Sequence, residues 1–145
     1  MQISEQILSM KDDCVKIRRD LHRIPEIGFE LHKTHEYIKP IIEACRPDEL
    51  KVLAEVGLKA VFYAKGADRT IAFRADMDGM KNTEENKFRF RSRNKGVMHG
   101  CGHDGHMRRS FCFWQSGYRS TAISSNATSC CCSSPAKRAG AVRGK

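Results

Sequence analysis

Apolar residues recur at Ile3, Ile7, Met10, Cys14, Ile17 and Leu21, at alternating spacings of four and three. That spacing draws one face of a helix, with Lys11, Asp12, Arg19 and Asp20 on the others. The helix should end near Ile24, because a residue preceding proline disfavours helical geometry. A second helix is predicted from about Thr34, with Tyr37, Ile38, Ile41, Ile42 and Cys45 as its apolar side. Pro40 is placed in its first turns, where it is tolerated. Residues 52–56 read equally as a helix end or a strand. Leu58-Lys-Ala-Val-Phe-Tyr-Ala64 and Thr70-Ile-Ala-Phe-Arg74 read as strands, with Lys65-Gly-Ala-Asp-Arg69 as a hairpin turn between them. Helix, helix, strand, strand and then a loop rich in glycine and histidine predict a mixed α/β domain, cut short before its later strands.

Charge divides the chain in two. The 145 residues carry a net charge of +9. Residues 1–107 hold 19 basic and 17 acidic side chains, whereas residues 108–145 hold 7 basic and no acidic ones. All six histidines precede residue 107, and four of the seven cysteines follow it, including the run Cys130-Cys131-Cys132. A nucleic-acid partner is therefore not expected, since the basicity belongs to the tail and not to a folded face. The tail has too little periodic apolar patterning to offset its ordering entropy and is expected to be disordered. An odd, clustered cysteine set does not read as a disulfide framework. No apolar run reaches 18 residues and the N-terminus lacks a signal pattern, so neither a membrane span nor secretion is expected.

Two features after the strands carry chemistry. In Arg74-Ala-Asp76-Met-Asp78 a strand delivers two carboxylates two residues apart, on one face if the strand continues. Carboxylates at a buried strand end are costly unless they bind a metal, orient a ligand or pair with a cation. A turn or cap aspartate with an Asp–Arg pair is the plainer alternative. The second feature is His99-Gly-Cys101-Gly-His103-Asp104-Gly-His106, with potential metal ligands separated by glycines that let the backbone turn sharply. Asp104 could bind a metal or accept from a ligand histidine's second nitrogen. A glycine-rich surface loop and a Cys–His nucleophile pair are the alternatives.

Arg18-Arg-Asp-Leu-His-Arg-Ile-Pro-Glu-Ile-Gly-Phe29, Arg74-Ala-Asp-Met-Asp78 and Met98-His-Gly-Cys-Gly-His-Asp-Gly-His-Met107 stand in the order and spacing of a known group. Over residues 14–107 the chain resembles the amidohydrolase branch of the aminoacylase-type metallopeptidases, which includes hippurate hydrolase, N-acetyldiaminopimelate deacetylase and the indoleacetyl-amino-acid hydrolases. The resemblance implies a cytoplasmic, homodimeric enzyme with an α/β catalytic domain, of which residues 1–107 form an incomplete N-terminal portion. It implies two divalent ions (manganese, zinc or cobalt) and a small N-acyl amino acid substrate. By motif position Cys101 and His103 correspond to metal ligands and Asp76 to the catalytic carboxylate supporting the site, while His106 takes no ligand role. Met80-Lys-Asn-Thr-Glu-Glu85 stands where relatives carry Leu-Pro-Ile. The family's Gln-Pro-x-Glu-Glu motif, which carries the general base, is missing, as are its later histidine ligands.

The tail has a reading that accounts for this gap. If one nucleotide is lost after codon 107, each Cys-Cys junction must regroup to leucine in the restored frame. Residues 129–139 can then be read as Val-Leu-Leu-Phe-Gln-Pro-Gly-Glu-Glu-Gly, which restores the missing motif. The expectation is an N-terminal amidohydrolase fragment, inactive as it stands, with an out-of-frame basic tail over residues 108–145. A small Cys/His metal-binding module without hydrolase activity is the rival reading.

Overall fold

The computed structural model describes residues 5–115 and 127–134. Helices α1 (Glu5–Ser9) and α2 (Lys11–Arg23) replace the single N-terminal helix expected from the apolar stripe. The break falls at Met10, the N-cap of α2 (φ −87°, ψ 0°), with neither proline nor glycine nearby. The stripe itself is real, since Cys14, Ile17 and Leu21 are buried along α2. Ile24 closes this helix one residue before Pro25, as expected.

Helix α3 (His32–Ala44) begins two residues earlier than its sequence pattern suggests. Its N-cap, Leu31, offers no side-chain acceptor, so the first-turn amides find one in Glu26. That carboxylate accepts from the Lys33 amide at 3.2 Å and from the Thr34 amide and hydroxyl at 2.8 Å each. A carboxylate at this end also complements the helix dipole. Pro40 therefore lies well inside the helix and not in its first turns. It is tolerated because it faces solvent, where water can satisfy the carbonyl that loses its amide partner.

The stretch left ambiguous at 52–56 resolves into a hairpin. Strand β1 (Glu49–Leu53) pairs antiparallel with β2 (Gly57–Phe62) in the register Glu49↔Val61 to Leu53↔Gly57. Ala54 and Glu55 turn between them with φ of 47° and 69°, left-handed values that the right-handed twist of a hairpin favours. By contrast, the hairpin expected across residues 65–69 does not form. Strand β3 (Arg69–Asp76) is separated from β2 by a strand of the tail.

After β3 come the short antiparallel pair β4 (Met80–Lys81) and β5 (Val97–Met98), then α4 (His103–Gln115) and β6 (Ala127–Ser134). The main sheet has the order β1-β2-β6-β3, with β6 antiparallel to β2 and parallel to β3. The expectation of a structureless tail over residues 108–145 is thus not met at residues 108–115, which continue α4, or at residues 127–134, which form β6. The physical reason lies in β2: five of its six residues are buried, and a buried interior strand needs hydrogen-bonding partners on both edges. Any extended segment with free amides can fill that place. The remainder of the tail beyond α4 lies outside the described residues.

Helices cover the sheet to build the core. Ile17 and Leu21 of α2, Ile38 and Ile42 of α3, Met107 of α4 and Leu58, Ala60 and Phe62 of β2 join Leu31, Val56, Ala75 and Met77 in one cluster. Among the described residues no helix is long and apolar enough to cross a membrane.

Candidate metal centre

The β4–β5 pair sets Met80 opposite Met98 and so brings the Cys/His loop beside the chain leaving β3. A tight turn follows, closed by the Gly102 amide on the His99 carbonyl at 3.2 Å. Gly102 has φ +77°, a conformation that side-chain-bearing residues rarely adopt. At Gly100 a Cβ would lie 2.6 Å from the Met80 sulfur, so any larger residue there requires that flexible side chain to move. His103 then opens α4.

Of the three residues singled out from the sequence, His103 is the most firmly held. Its Nδ1 lies 2.7 Å from the Asp78 carbonyl oxygen and 3.2 Å from Asp78 Oδ1. An Nδ1–H donated there leaves the Nε2 lone pair free for a metal, the usual arrangement for a ligand histidine. Cys101 is exposed, with its Sγ 3.9 Å from Met80 Sδ. Met80 thus puts a thioether at the rim of the loop, where the resemblance led us to expect leucine. Asp76 sits at the end of β3 and pairs with Arg74 of the same strand. Asp78 lies past the strand end, so the shared strand face expected of the two carboxylates does not extend to it. His106 is exposed, with its ring centroid 6.0 Å from that of His103. It also lines a pocket of about 490 Å³ with Phe73, Arg74, Arg109 and Ser110, which includes neither Cys101 nor His103.

The chemistry of the donors suits a divalent ion in part. A thiol and an imidazole with a free Nε2 favour zinc or cobalt over magnesium or calcium. Among the described residues, however, no group of three or more His, Cys, Asp or Glu gathers to hold a metal. Cys101 and His103 offer two potential donors, fewer than a metal site needs.

Beneath the loop lies a polar cluster that the sequence reading did not single out. His22 of α2 is buried, with Nδ1 2.8 Å from Asp104 Oδ2 and Nε2 3.0 Å from Glu84 Oε1. Arg18, one helical turn earlier, places Nε 3.3 Å from the same Asp104 oxygen. Asp104 therefore serves α2, and Asp78 takes the histidine-orienting part that the sequence had offered to Asp104. Glu84 also accepts from the Ser92 amide at 2.6 Å. Its carboxyl stays below the usual range because these hydrogen bonds outweigh the upward push of burial. Phe88 and Phe90 stack at 4.3 Å and wall His22, with the Arg19 guanidinium 4.9 Å from the Phe90 centroid. His99 is 4% exposed, its ring 6.3 Å from that of His22, and neither of its nitrogens has a hydrogen-bond partner among the described residues. Burial, which penalises the charged ring, lowers its pKa to about 4. The sequence signals for this cluster are the Arg18–Phe29 motif, in which Arg18 and His22 stand one helical turn apart, and His99 and Asp104 in the Cys/His loop.

Comparison with known proteins bears on this arrangement. Residues 72–114, which run from within β3 through the Cys/His loop and most of α4, match the family described as Peptidase family M20/M25/M40. The chain is 42% identical over 103 residues to an N-acetyldiaminopimelate deacetylase of Halalkalibacterium halodurans, covering 70% of this chain and 28% of that protein. It is 37% identical over 105 residues to an N-acyl-L-amino acid amidohydrolase of Geobacillus stearothermophilus, covering 72% and 28% respectively. Among solved structures, a dinuclear metal-binding peptidase of the M20 family from Bacillus subtilis superposes with a TM-score of 0.77 at 26% identity. That match covers 89% of this chain and 36% of the other. The chain spans little more than a quarter of the length of these curated relatives.

Proposed function

We propose that this chain, which carries a Peptidase M20 family segment, is the N-terminal part of a metal-dependent amidohydrolase that cleaves N-acyl amino acids. The observation that carries the reading is His103, which is anchored through Nδ1 on the Asp78 carbonyl, presents Nε2 and stands two residues from Cys101. In this reading the Cys101 thiolate and His103 Nε2 hold one divalent ion of a pair, and Asp76 is the supporting carboxylate. A metal in such a site supplies Lewis-acid activation of the amide carbonyl and of the attacking water. The chain's own contribution is to keep the proton on His103 Nδ1 and to hold the loop against β4. The buried Asp104–His22–Glu84 cluster keeps the floor of the site closed to water. Similarity to proteins named as a deacetylase and an amidohydrolase supports the substrate class. A cytoplasmic setting and a homodimeric full-length form belong to the same reading.

As it stands, the 145-residue chain should be inactive. Residues 108–145 contain no Asp, Glu or His, so they supply neither a general base nor further ligands. We read this tail as the out-of-frame translation of a gene whose intact frame encodes Gln-Pro-x-Glu-Glu. The position of β6 supports this, because the shifted frame reads Val-Leu-Leu-Phe across residues of that strand, and an apolar strand suits a place between β2 and β3. Two experiments test the proposal. Purified chain incubated with hippurate or N-acetyl amino acids and manganese, zinc or cobalt should release no amino acid; turnover would refute the inactive reading. Restoring one base after codon 107 should open a frame encoding the motif and yield metal-dependent hydrolysis. A closed frame, or an open one without activity, would refute the frame reading or the amidohydrolase reading respectively.

A further inference from the structure

We infer that His22 is a positioning residue for the metal loop, held between Asp104 and Glu84 so that one imidazole fixes both segments flanking Cys101 and His103. This rests on the proposed metal site and extends it to residues that touch no metal.

The argument starts from connectivity. His22 belongs to α2, Asp104 to the first turn of α4 and Glu84 to the segment between β4 and β5, so the contacts span 82 and 62 residues of sequence. Both carboxylate side chains are almost fully buried, at 0% and 3% exposure. Each ring nitrogen faces one carboxylate oxygen, so a single imidazole ties the two segments together. Arg18 adds its guanidinium to the same Asp104 oxygen that faces His22. Charge-assisted bonds in so dry a setting are short, directional and costly to break singly.

Each end of this bridge bears on the loop. Asp104 directly follows His103, so holding its carboxylate against α2 fixes the rotational phase of the first turn of α4. His103 is then held twice, through its own Nδ1 on Asp78 and through its neighbour's carboxylate on His22. Glu84 closes residues 84–92 on the Ser92 amide. The same segment is tied down by the Arg93 amide on the Arg23 carbonyl at 2.9 Å and by the Asn94 side-chain amide on the Pro25 carbonyl at 2.6 Å. β5 emerges from this segment and carries the chain into the Cys/His turn, so its anchorage sets where Cys101 stands. A simple core filler would not need two charged partners drawn from the two flanks of one loop.

The test uses the full chain and cobalt(II). The quantity read is the thiolate-to-cobalt absorption that disappears on Cys101→Ser, which separates this loop from the tail cysteines. His22→Asn, shown folded by far-ultraviolet circular dichroism, should weaken the Cys101-dependent cobalt affinity by about tenfold or more and shift the band. His35→Asn serves as the control. That residue also makes a buried-side hydrogen bond, Nδ1 to the Val56 carbonyl at 2.8 Å, but far from the loop, and its loss should leave cobalt affinity within about twofold of the original. Should His22→Asn fail to fold, Glu84→Gln retains the shape and an acceptor oxygen while removing the charge, and should weaken cobalt binding in the same direction. Unchanged affinity and band in folded His22→Asn, or in Glu84→Gln, would overturn the inference. Absence of any Cys101-dependent band in the unaltered chain would also overturn the inference, whereas the amidohydrolase reading is judged separately, by hydrolysis in the restored frame.

Discussion

Acid should loosen this protein well above the pH at which carboxylates titrate, and His99 is the reason. Its ring is buried at the start of the Cys/His loop with neither nitrogen bonded among the described residues, and desolvation lowers its pKa from the ordinary 6.5 to about 4. Asp104 and Asp78 pull the value up and His22 and His103 push it down, so these charges partly cancel and burial decides the direction. The folded state holds a neutral ring while the unfolded state protonates near 6.5, so the unfolded chain binds more protons across that interval. The stabilisation from neutral His99 is present in full above 6.5 and is lost as pH falls toward 4. The linkage gives a loss of about 2 kcal/mol by pH 5 and about 3 kcal/mol by pH 4. Glu84, whose folded value is lowered, contributes in the same direction only below its ordinary 4.5. The assay is urea unfolding of metal-free protein followed by circular dichroism between pH 7.5 and 4. The comparison is with His99→Asn, which should lack the slope between pH 6.5 and 5. Equal pH dependence in both proteins would refute the assignment of this slope to His99.

Two substitutions probe the frame that carries the loop. Glu26→Ala removes the acceptor for the first-turn amides of α3 and should cost about 1–2 kcal/mol in urea unfolding, with Glu26→Gln costing less because it keeps an acceptor oxygen. Gly79→Ala places a methyl 2.9 Å from Pro25 Cβ and 3.0 Å from the Met98 carbonyl oxygen. That overpacking should cost about 1–3 kcal/mol, whereas Gly66→Ala, which meets no atom within 4 Å, should show only the smaller penalty of its positive φ.

The parts of the fold legible in the sequence are those set by local pattern. The α2 stripe, the stop before Pro25 and the strands over β2 and β3 need only side-chain periodicity and a proline rule. What escaped was decided elsewhere in the chain. The start of α3 at His32 depends on a carboxylate six residues upstream, because Leu31 cannot cap. The β1–β2 turn uses left-handed Ala54 and Glu55, residues that carry no turn signature in sequence. The adjacency of β2 and β3 was inferred from the short, glycine-bearing segment between them. The structure instead keeps a strand's width open there and fills it with β6, which pairs with β3 in the register Arg69↔Ala127 to Asp76↔Ser134.

The candidate site divides along the same line. Cys101 and His103 announce themselves because glycines isolate them in a short loop, and a motif within eight residues survives being read as a string. Asp104 was noticed for the same reason but given the wrong neighbour. Its true partner, His22, is 82 residues away, and nothing local distinguishes a helical histidine that bridges buried carboxylates from one that merely flanks an apolar stripe. Glu84 was harder still, because it lies in a stretch noted only for departing from the expected Leu-Pro-Ile. Yet the departure and the bridge are connected. Met80 begins that stretch and touches the Cys101 sulfur, while Glu84, four residues later, holds His22. One short segment therefore meets the metal loop at its exposed rim and at its buried floor. A substitution there should act on both, and this is why Glu84 tests the loop's support without altering either proposed ligand.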